Sequence, residues 1–385
     1  MIWYSLLIPV IISFLGWVLY KRKITWWELF IAPIISSILI VISYYSMKSY
    51  TLSDVEYNGY LVTEARYYEP YITWVQKTCS YTTCTGSGKT RTCTTHYYDC
   101  SYCDEHSDSY VMYDTNRNSI GISKEKYLSL VKQWKAKPAF MELNRDIDYH
   151  GSCGKDGDAY SIHWDKKRIS SETTTVTNSF TNILKSNHSA FNYPIIEEIQ
   201  AKKAGLYEYP NIYQNEYQKT VLGLDKIPFK DKYRFKKYLD YLNGAYGKRY
   251  KVRIFTLFFK EKDINTAFLQ EAYWDGGNQN EIIVCIGLDA KNKISWVKPF
   301  SWCDNKRVVI EIREELMQHG KIDSEFFYKT YFETMKKYWK YKSFKDFNYL
   351  SFEPTTGQMV FVYLMTIIVS IIIMRWCVIN EEDNY

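Results

Sequence analysis

The chain has 385 residues, room for two or three domains, with 24% charged residues and a net charge of +6 spread along its length. A surplus so diffuse is not the footprint of a nucleic-acid-binding protein, which gathers its basic residues on one face. The mean hydropathy of −0.35 looks water-soluble only as an average, because the apolar residues are concentrated at the two ends.

Residues 1–20, "MIWYSLLIPVIISFLGWVLY", carry no charge, and residues 26–46 carry only Glu28. Near the other end, residues 357–378 carry no charge apart from Arg375. A bilayer-spanning helix needs roughly 20 mostly apolar residues, so three transmembrane helices are expected, and membrane helices tolerate residues such as Pro9 and Pro33. A cleaved signal peptide puts its positive charge before the apolar core. Here Lys21, Arg22 and Lys23 come after it, so the first segment reads as a retained span. Those three residues make residues 21–25 the short basic loop that stays cytoplasmic. The lobe between the second and third spans is then extracytoplasmic, residues 47–356, and the acidic tail 379–385 is cytoplasmic. Five lysines between Lys336 and Lys345 run against this orientation, but long domains translocate largely regardless of charge. They read as a solvated face, or as a contact with anionic headgroups. Cys377, at the inner end of the third span, reads as a lipid-facing residue rather than an acylation site.

Residues 47–170 are a cysteine-rich, strand-rich part. At its centre lies "CTGSGKTRTC", residues 84–93, whose GSGKT imitates a phosphate-binding loop. That pattern requires glycine at position 83, where this chain has Thr83, and it requires a preceding buried strand and a following helix. Polar, threonine-rich segments flank it instead. Folding the stretch between Gly88 and Lys89 makes a hairpin whose turn has glycine at its first central position. Cys84 then faces Cys93 at a non-hydrogen-bonded pair, where Cα atoms approach to about 4.5 Å and a disulfide fits. Cys79 and Cys100 fall on the opposite face, two residues out of register, and would pair diagonally across a bulge. Cys103 is left for Cys153. The alternative is zinc: His96, Cys100, Cys103 and His106 offer four ligands around a C-x2-C pair. Oxidising surroundings favour the disulfides and a reducing cytosol favours the metal, so topology decides between them. His150 and Cys153 pair a potential base with a thiol, but an oxidised Cys153 is bridged and no nucleophile.

Short strands run through this part. Ser123 caps a predicted helix whose buried stripe is Tyr127, Leu128, Val131 and Trp134, and His163 is read as a packing residue beside Trp164. Residues 171–228 form a connecting segment, in which Asn187-His188-Ser189 is a glycosylation acceptor only in a eukaryotic secretory pathway. Residues 229–345 read as an α+β part. A helix buries Phe235, Leu239, Leu242 and Tyr246 and carries Gly244 and Gly247 near its end. The order strand, helix, strand, strand, helix follows. It predicts helices on one face of a mainly antiparallel sheet. "EIIVCIGL" is apolar throughout and reads as a strand buried on both faces, with Cys285 a small buried hydrophobe facing Val297 and not bridged to Cys303. The loop holding Asp275 and Asn278 is the candidate ligand loop, although "DGGN" is also ordinary turn chemistry. No paired carboxylates, nucleophile elbow or metal-hydrolase motif appears, so no residue is assigned as catalytic.

The stretches "GGNQNEIIVCIGLDAKNKISWVKPFSW" and "TCSYTTCTGSGKTRTCTTHYYDCSYCDEH" resemble a group of uncharacterised membrane-anchored proteins of large tailed phages and bacteria. The resemblance implies a viral or bacterial envelope setting and no established activity. The fold expected is therefore an α+β extracytoplasmic region, a disulfide-stapled β-rich part plus a β-α-β-β-α part, carried by three transmembrane helices. With 37 tyrosines in the chain, its aromatic, strand-rich surface is expected to suit contact with a protein or a glycan, with no cofactor expected. A membrane-tethered hydrolase with its site near Asp275 and a cytosol-facing zinc domain are the alternatives.

Overall fold

In a computed structural model of the chain, residues 2–20, 25–86, 88, 91–143, 153–165, 169, 172–187, 193–211 and 219–382 are described. The basic loop Lys21-Arg22-Lys23, the hairpin-turn residues Ser87, Lys89 and Thr90, and His150, His188 and Ser189 lie outside them.

Three helical stretches are long and apolar enough to cross a membrane: Ile2–Leu19, Glu28–Leu52 and Thr356–Ile379. They contain α1 (Leu7–Leu19), α2 (Ile31–Leu52) and α9 (Thr356–Glu382). α9 packs against both others where side chains are small. The Ser36 and Ser370 hydroxyls bond at 3.2 Å across α2 and α9. Gly16 leaves the space that Met374 fills, since a Cβ there would lie 2.7 Å from the Met374 methyl. Isoleucine, leucine and valine cover the outer faces, the all-round apolar surface of a helix in lipid. α2 extends six residues beyond the segment read as a span and passes without a loop into β1 (Ser53–Tyr68).

β1 organises the first sheet. β10 (Thr173–Thr181) pairs along its first half, from Ser53 opposite Thr181 to Leu61 opposite Thr173. After a register shift between Val62 and Glu64, β6 (Ser109–Asp114) and β9 (Ala159–His163) flank its second half. β7 (Ser119–Ile122) and β8 (Ala139–Met141) complete the sheet. Part of the stretch read as a connecting segment is thus a sheet strand. α3 (Lys124–Trp134) lies over the sheet, its N-terminus capped by Ser123, whose side chain accepts from the Lys126 amide. The buried stripe is Tyr127, Leu130 and Trp134, with Val131 half-buried; Leu128 is 54% exposed. The expected stripe was wrong at Leu128 because one helical residue turns about 100°, carrying it off the face that Tyr127 and Trp134 share. His163 is exposed rather than packed.

The second sheet runs β11 (Val221–Leu222), β12 (Arg253–Lys260), β13 (Glu281–Leu288), β14 (Ile294–Phe300). Its first three strands are parallel and only β14 is antiparallel, which corrects the expectation of a mainly antiparallel sheet. The cause is the connection. α6 (Asn265–Tyr273) carries the chain back from β12 to β13, and strands joined through a helix run parallel. Helices also cover both faces rather than one. Ile254, Phe258, Ile282, Val284 and Ile286 meet α5 (Lys232–Tyr250), α7 (Arg307–His319) and α8 (Ser324–Tyr338). Phe255, Leu257, Ile283 and Cys285 meet Ala267 of α6 together with Trp274, Tyr207 and Tyr209. Sheets of this kind need cover on both sides, which is why their strands read as unbroken apolar runs. Cys285 faces Lys298, one residue from the position expected, because the register slips between Gly287 and Leu288. Cys285 and Cys303 are both free and buried.

α5 joins the two sheets. Its Phe235, Leu239 and Leu242 are buried and Tyr246 packs against the same core. Gly244 and Gly247 sit inside the helix and let it approach β1. A Cβ on Gly247 would lie 3.2 Å from the Gly59 amide nitrogen, and one on Gly244 would lie 2.8 Å from a Leu61 methyl.

Candidate functional site

Two features of the lobe between α2 and α9 bear on function. The first is an arm of two short ribbons, β2 (Tyr71–Val75) paired with β5 (Tyr102–His106), and β3 (Thr78–Thr85) paired with β4 (Thr92–Asp99). β4 is exposed along its whole length. A two-stranded ribbon of this kind is marginal in water, and here three disulfides hold it. Cys84 and Cys93 are bonded at directly opposed positions with Cα atoms 4.0 Å apart. Cys79 and Cys100 are bonded diagonally at 5.8 Å. No bulge is involved: the register is unbroken from Thr78 to Thr85, and the Cys100 amide extends it by donating to the Lys77 carbonyl at 2.9 Å. Cys103 is bonded to the buried Cys153, tying β5 to the segment that leads into β9.

These bonds occupy Cys100 and Cys103, two of the four residues of the zinc alternative. His96 instead stacks on Tyr81 in the β3–β4 ribbon and accepts or donates at Thr83 Oγ1, 3.0 Å away. His106 stacks on Tyr71 in the other ribbon. Among the described residues no group of three or more His, Cys, Asp or Glu is placed to hold a metal.

The second feature is a cavity of about 410 Å³ at the junction of the two sheets and the end of α2. Asp275 and Asn278 both line it. So do Asp54 and Tyr57 of β1, Asn182 and Lys185 beyond β10, Tyr209, Tyr273, Trp274 and Phe344. The loop is shaped by three successive left-handed residues, Asp275, Gly276 and Gly277. Glycine is required at the third: a Cβ on Gly277 would come within 2.2 Å of Ile283 Cδ1.

Asn278 proves to be scaffolding as much as lining. Its amide N–H donates to Glu281 Oε2 at 2.9 Å and its side chain to the Val55 carbonyl at 2.8 Å. Its neighbours act likewise: Gln279 donates to Glu56 Oε2 at 2.7 Å and Asn280 to the Tyr57 carbonyl at 2.9 Å. Gln279 Oε1 also accepts from the Phe344 amide at 2.9 Å. Three consecutive buried amides thus bolt the second sheet to β1.

Glu281, at the start of β13, holds the loop from below. Besides Asn278 it accepts the Tyr209 hydroxyl. Burial raises its carboxyl above the ordinary range, against the opposing pull of Arg253, which faces it in the β12–β13 register. The Arg253 guanidinium is fully buried and sits over the Phe255 and Tyr57 rings, 4.6 and 5.1 Å from their centroids. Burial, then the neighbouring Glu281, lifts the Tyr209 phenol well above its usual value. On the cavity wall Asp54 is paired with Lys185 at 3.2 Å and accepts from Asn182 Nδ2 at 2.7 Å. Among the described residues the lining contains no histidine and no cysteine.

Asp275 and Asn278, read from the sequence as a candidate ligand loop, line this cavity. Sequence reasoning did not single out Asp54, Asn182, Lys185, Tyr209 and Phe344, which reach the cavity from four distant segments and leave no local pattern. Comparison with protein-family models, with curated proteins and with solved structures finds no match for this chain.

Proposed function

We propose that the chain is an integral membrane protein whose lobe, residues 47–356, faces the extracytoplasmic side and binds a partner at the cell envelope. The observation that carries this is the set of three disulfides, all in the lobe between the second and third apolar stretches. Disulfides persist in oxidising compartments and are rare in reducing ones. The short basic loop Lys21-Arg22-Lys23 supports the same orientation, with that loop and the acidic tail in the cytoplasm. Binding is supported by the form of the arm: a cross-linked ribbon displays Tyr81, Tyr97 and Tyr98, each at least half exposed. Stiff, amphipathic rings suit contact with a protein or glycan, and a surface already rigid loses little entropy on binding.

The test is thiol labelling of intact cells with a membrane-impermeant reagent, before and after reduction. Labelling of the arm cysteines only after reduction is the expected result. Labelling that needs cell lysis and no reductant refutes the reading and returns the zinc alternative. A second reading, a membrane-tethered hydrolase, draws on the convergence of Asp54 and Asp275 on one cavity. It predicts hydrolysis of chromogenic ester or phosphate substrates by the purified protein and loss of that turnover in Asp275→Ala.

A further inference from the structure

We propose that the outer face of α7, with the groove beside it at the edge of the second sheet, is a two-fold interface that takes a second copy of this chain. This goes beyond the binding reading above and depends neither on which side of the membrane the lobe faces nor on what the arm meets.

The first observation is an apolar surface at the end of the sheet. β14 is the last strand in the order of the second sheet. Beside it lies a groove of about 290 Å³, lined by Ile264 and Phe268 at α6, by Pro299 of β14, and by Val309, Ile310 and Arg313 of α7. Phe268 is 54% exposed, Ile310 51% and Met317 40%. Large apolar side chains left open together in this way mark an interaction surface.

The second is what this edge refuses. An open sheet edge commonly recruits another strand. Here Pro299 has no amide to donate, and the Ile294 amide is already bonded to the Gly320 carbonyl at 3.0 Å. Lys298, the one lysine of the groove, is paired with Glu271, and its Nζ sits 4.4 Å from the Phe268 ring centroid. An occupant therefore meets the edge with side chains rather than with a strand.

The third is the pattern on α7. Val308, Ile312 and Leu316 face the core. The opposite stripe is Ile310, Arg313, Glu314 and Met317, all exposed. Three and four residues from Arg313 stand Val309, Ile310, Leu316 and Met317; at the same offsets from Glu314 stand Ile310, Glu311, Met317 and Gln318. Neither charge can find its opposite along the helix, as Arg307 and Glu311 do at 2.9 Å. Among the described residues neither Arg313 nor Glu314 has a hydrogen-bond or ion-pair partner. The stripe nevertheless complements itself. Turned about an axis passing between residues 313 and 314, α7 lies antiparallel on its copy. Arg313 then faces Glu314 of the second copy, and Ile310 faces Met317 of the second copy. Arg313 and Glu314 straddle the midpoint of Ile310 and Met317, so one axis satisfies both pairs and makes each contact twice, as an isologous interface requires. Met317 of the second copy then reaches the mouth of the groove beside Ile310, where a flexible thioether fills an irregular gap well. A partner of other sequence would need these charges in reversed order; a second copy supplies that order by symmetry.

The test is sedimentation equilibrium of the full-length protein in density-matched detergent micelles, which leave the relative tilt of two copies unrestricted. The wild type is expected to dimerise. Arg313→Glu and Glu314→Arg should each weaken the dimer by about tenfold or more, because each sets like charges face to face at both symmetry-related contacts. The double variant, Arg313→Glu with Glu314→Arg, should restore it, since the exchanged charges again face their opposites. Both side chains are exposed, and an unchanged near-ultraviolet spectrum confirms that each variant is folded. A wild type monomeric at every concentration leaves this face to some other partner and overturns the proposal. A dimer indifferent to the single reversals places the contact elsewhere, in the membrane helices for example, and overturns it too. Single reversals that weaken the dimer without rescue in the double variant overturn the antiparallel pairing. Thiol labelling reads only the side of the membrane, so this claim and the one above fail separately.

Discussion

Gly277 stands between the two residues that sequence reasoning assigned to the ligand loop, and Gly277→Ala separates steric need from mere turn preference. Its φ is +83°, a conformation that costs an alanine about 1–2 kcal/mol. The new methyl carbon would also lie 2.2 Å from Ile283 Cδ1 and 3.3 Å from Glu281 Oε2, the oxygen that accepts the Asn278 amide. Ile283 is fully buried in β13, so its methyl cannot swing into solvent, and overpacking of this kind adds about 1–3 kcal/mol. The expected loss is about 2–5 kcal/mol in total. Gly320, which ends α7 with φ +69°, is the control: the nearest atom to its added Cβ is the Met317 carbonyl oxygen at 3.9 Å. Gly320→Ala should cost only the conformational part, about 1–2 kcal/mol. Urea unfolding of both variants in detergent micelles, followed by tryptophan fluorescence, measures the difference. Equal losses would refute the argument that the Asp275 loop is held by packing against β13.

Leu130→Ala should destabilise by about 2–5 kcal/mol and Leu128→Ala by less than about 0.5 kcal/mol, a contrast that circular dichroism melting reads directly and that inverts if the sequence-derived stripe is the true one. Replacing Cys84 and Cys93 with serine removes about 3 kcal/mol of constraint on the unfolded arm; trypsin should then cleave after the exposed Arg91 several-fold faster, with the melting of the second sheet unchanged. Asp240, on α5, is buried at 3% exposure. Burial, then the neighbouring Glu172, holds its carboxyl well above the usual range, opposed by Lys236 and Arg253. Because the folded value is raised, the folded state binds the proton more tightly than the unfolded chain. The resulting stability is complete below the unfolded value near about 4 and is lost as pH rises towards the folded value. Asp240→Asn should therefore raise the melting temperature at pH 8 and leave it nearly unchanged at pH 4; an equal effect at both would show that the carboxyl is not buried as a neutral acid.

What the sequence discloses here follows from how far apart the cooperating residues lie. Three apolar stretches are legible because each carries its own evidence over some 20 residues. The opposed cysteines of the β3–β4 hairpin are legible too, since only the turn stands between them. β13 is legible as buried on both faces, yet the same observation already argued against an antiparallel sheet with helices on one side, because two-sided burial is the mark of parallel strands covered twice. That inference needed only the α6 connection to complete it. The cavity is different in kind. Asp54, Lys185, Tyr209, Asn278 and Phe344 meet only because the amides of Asn278, Gln279 and Asn280 engage β1 and the Phe344 segment. Read locally, "DGGNQN" is a polar turn. Its polarity has a long-range cause: three amides that would stand unpaired inside the protein are satisfied by carbonyls and a carboxylate more than 220 residues earlier. Buried amides left without such partners are costly, so the loop and the strand it grips must be present together for either to be stable. The junction that stabilises the lobe is thereby also the wall of its cavity, and a substitution at Gln279 should disturb both at once.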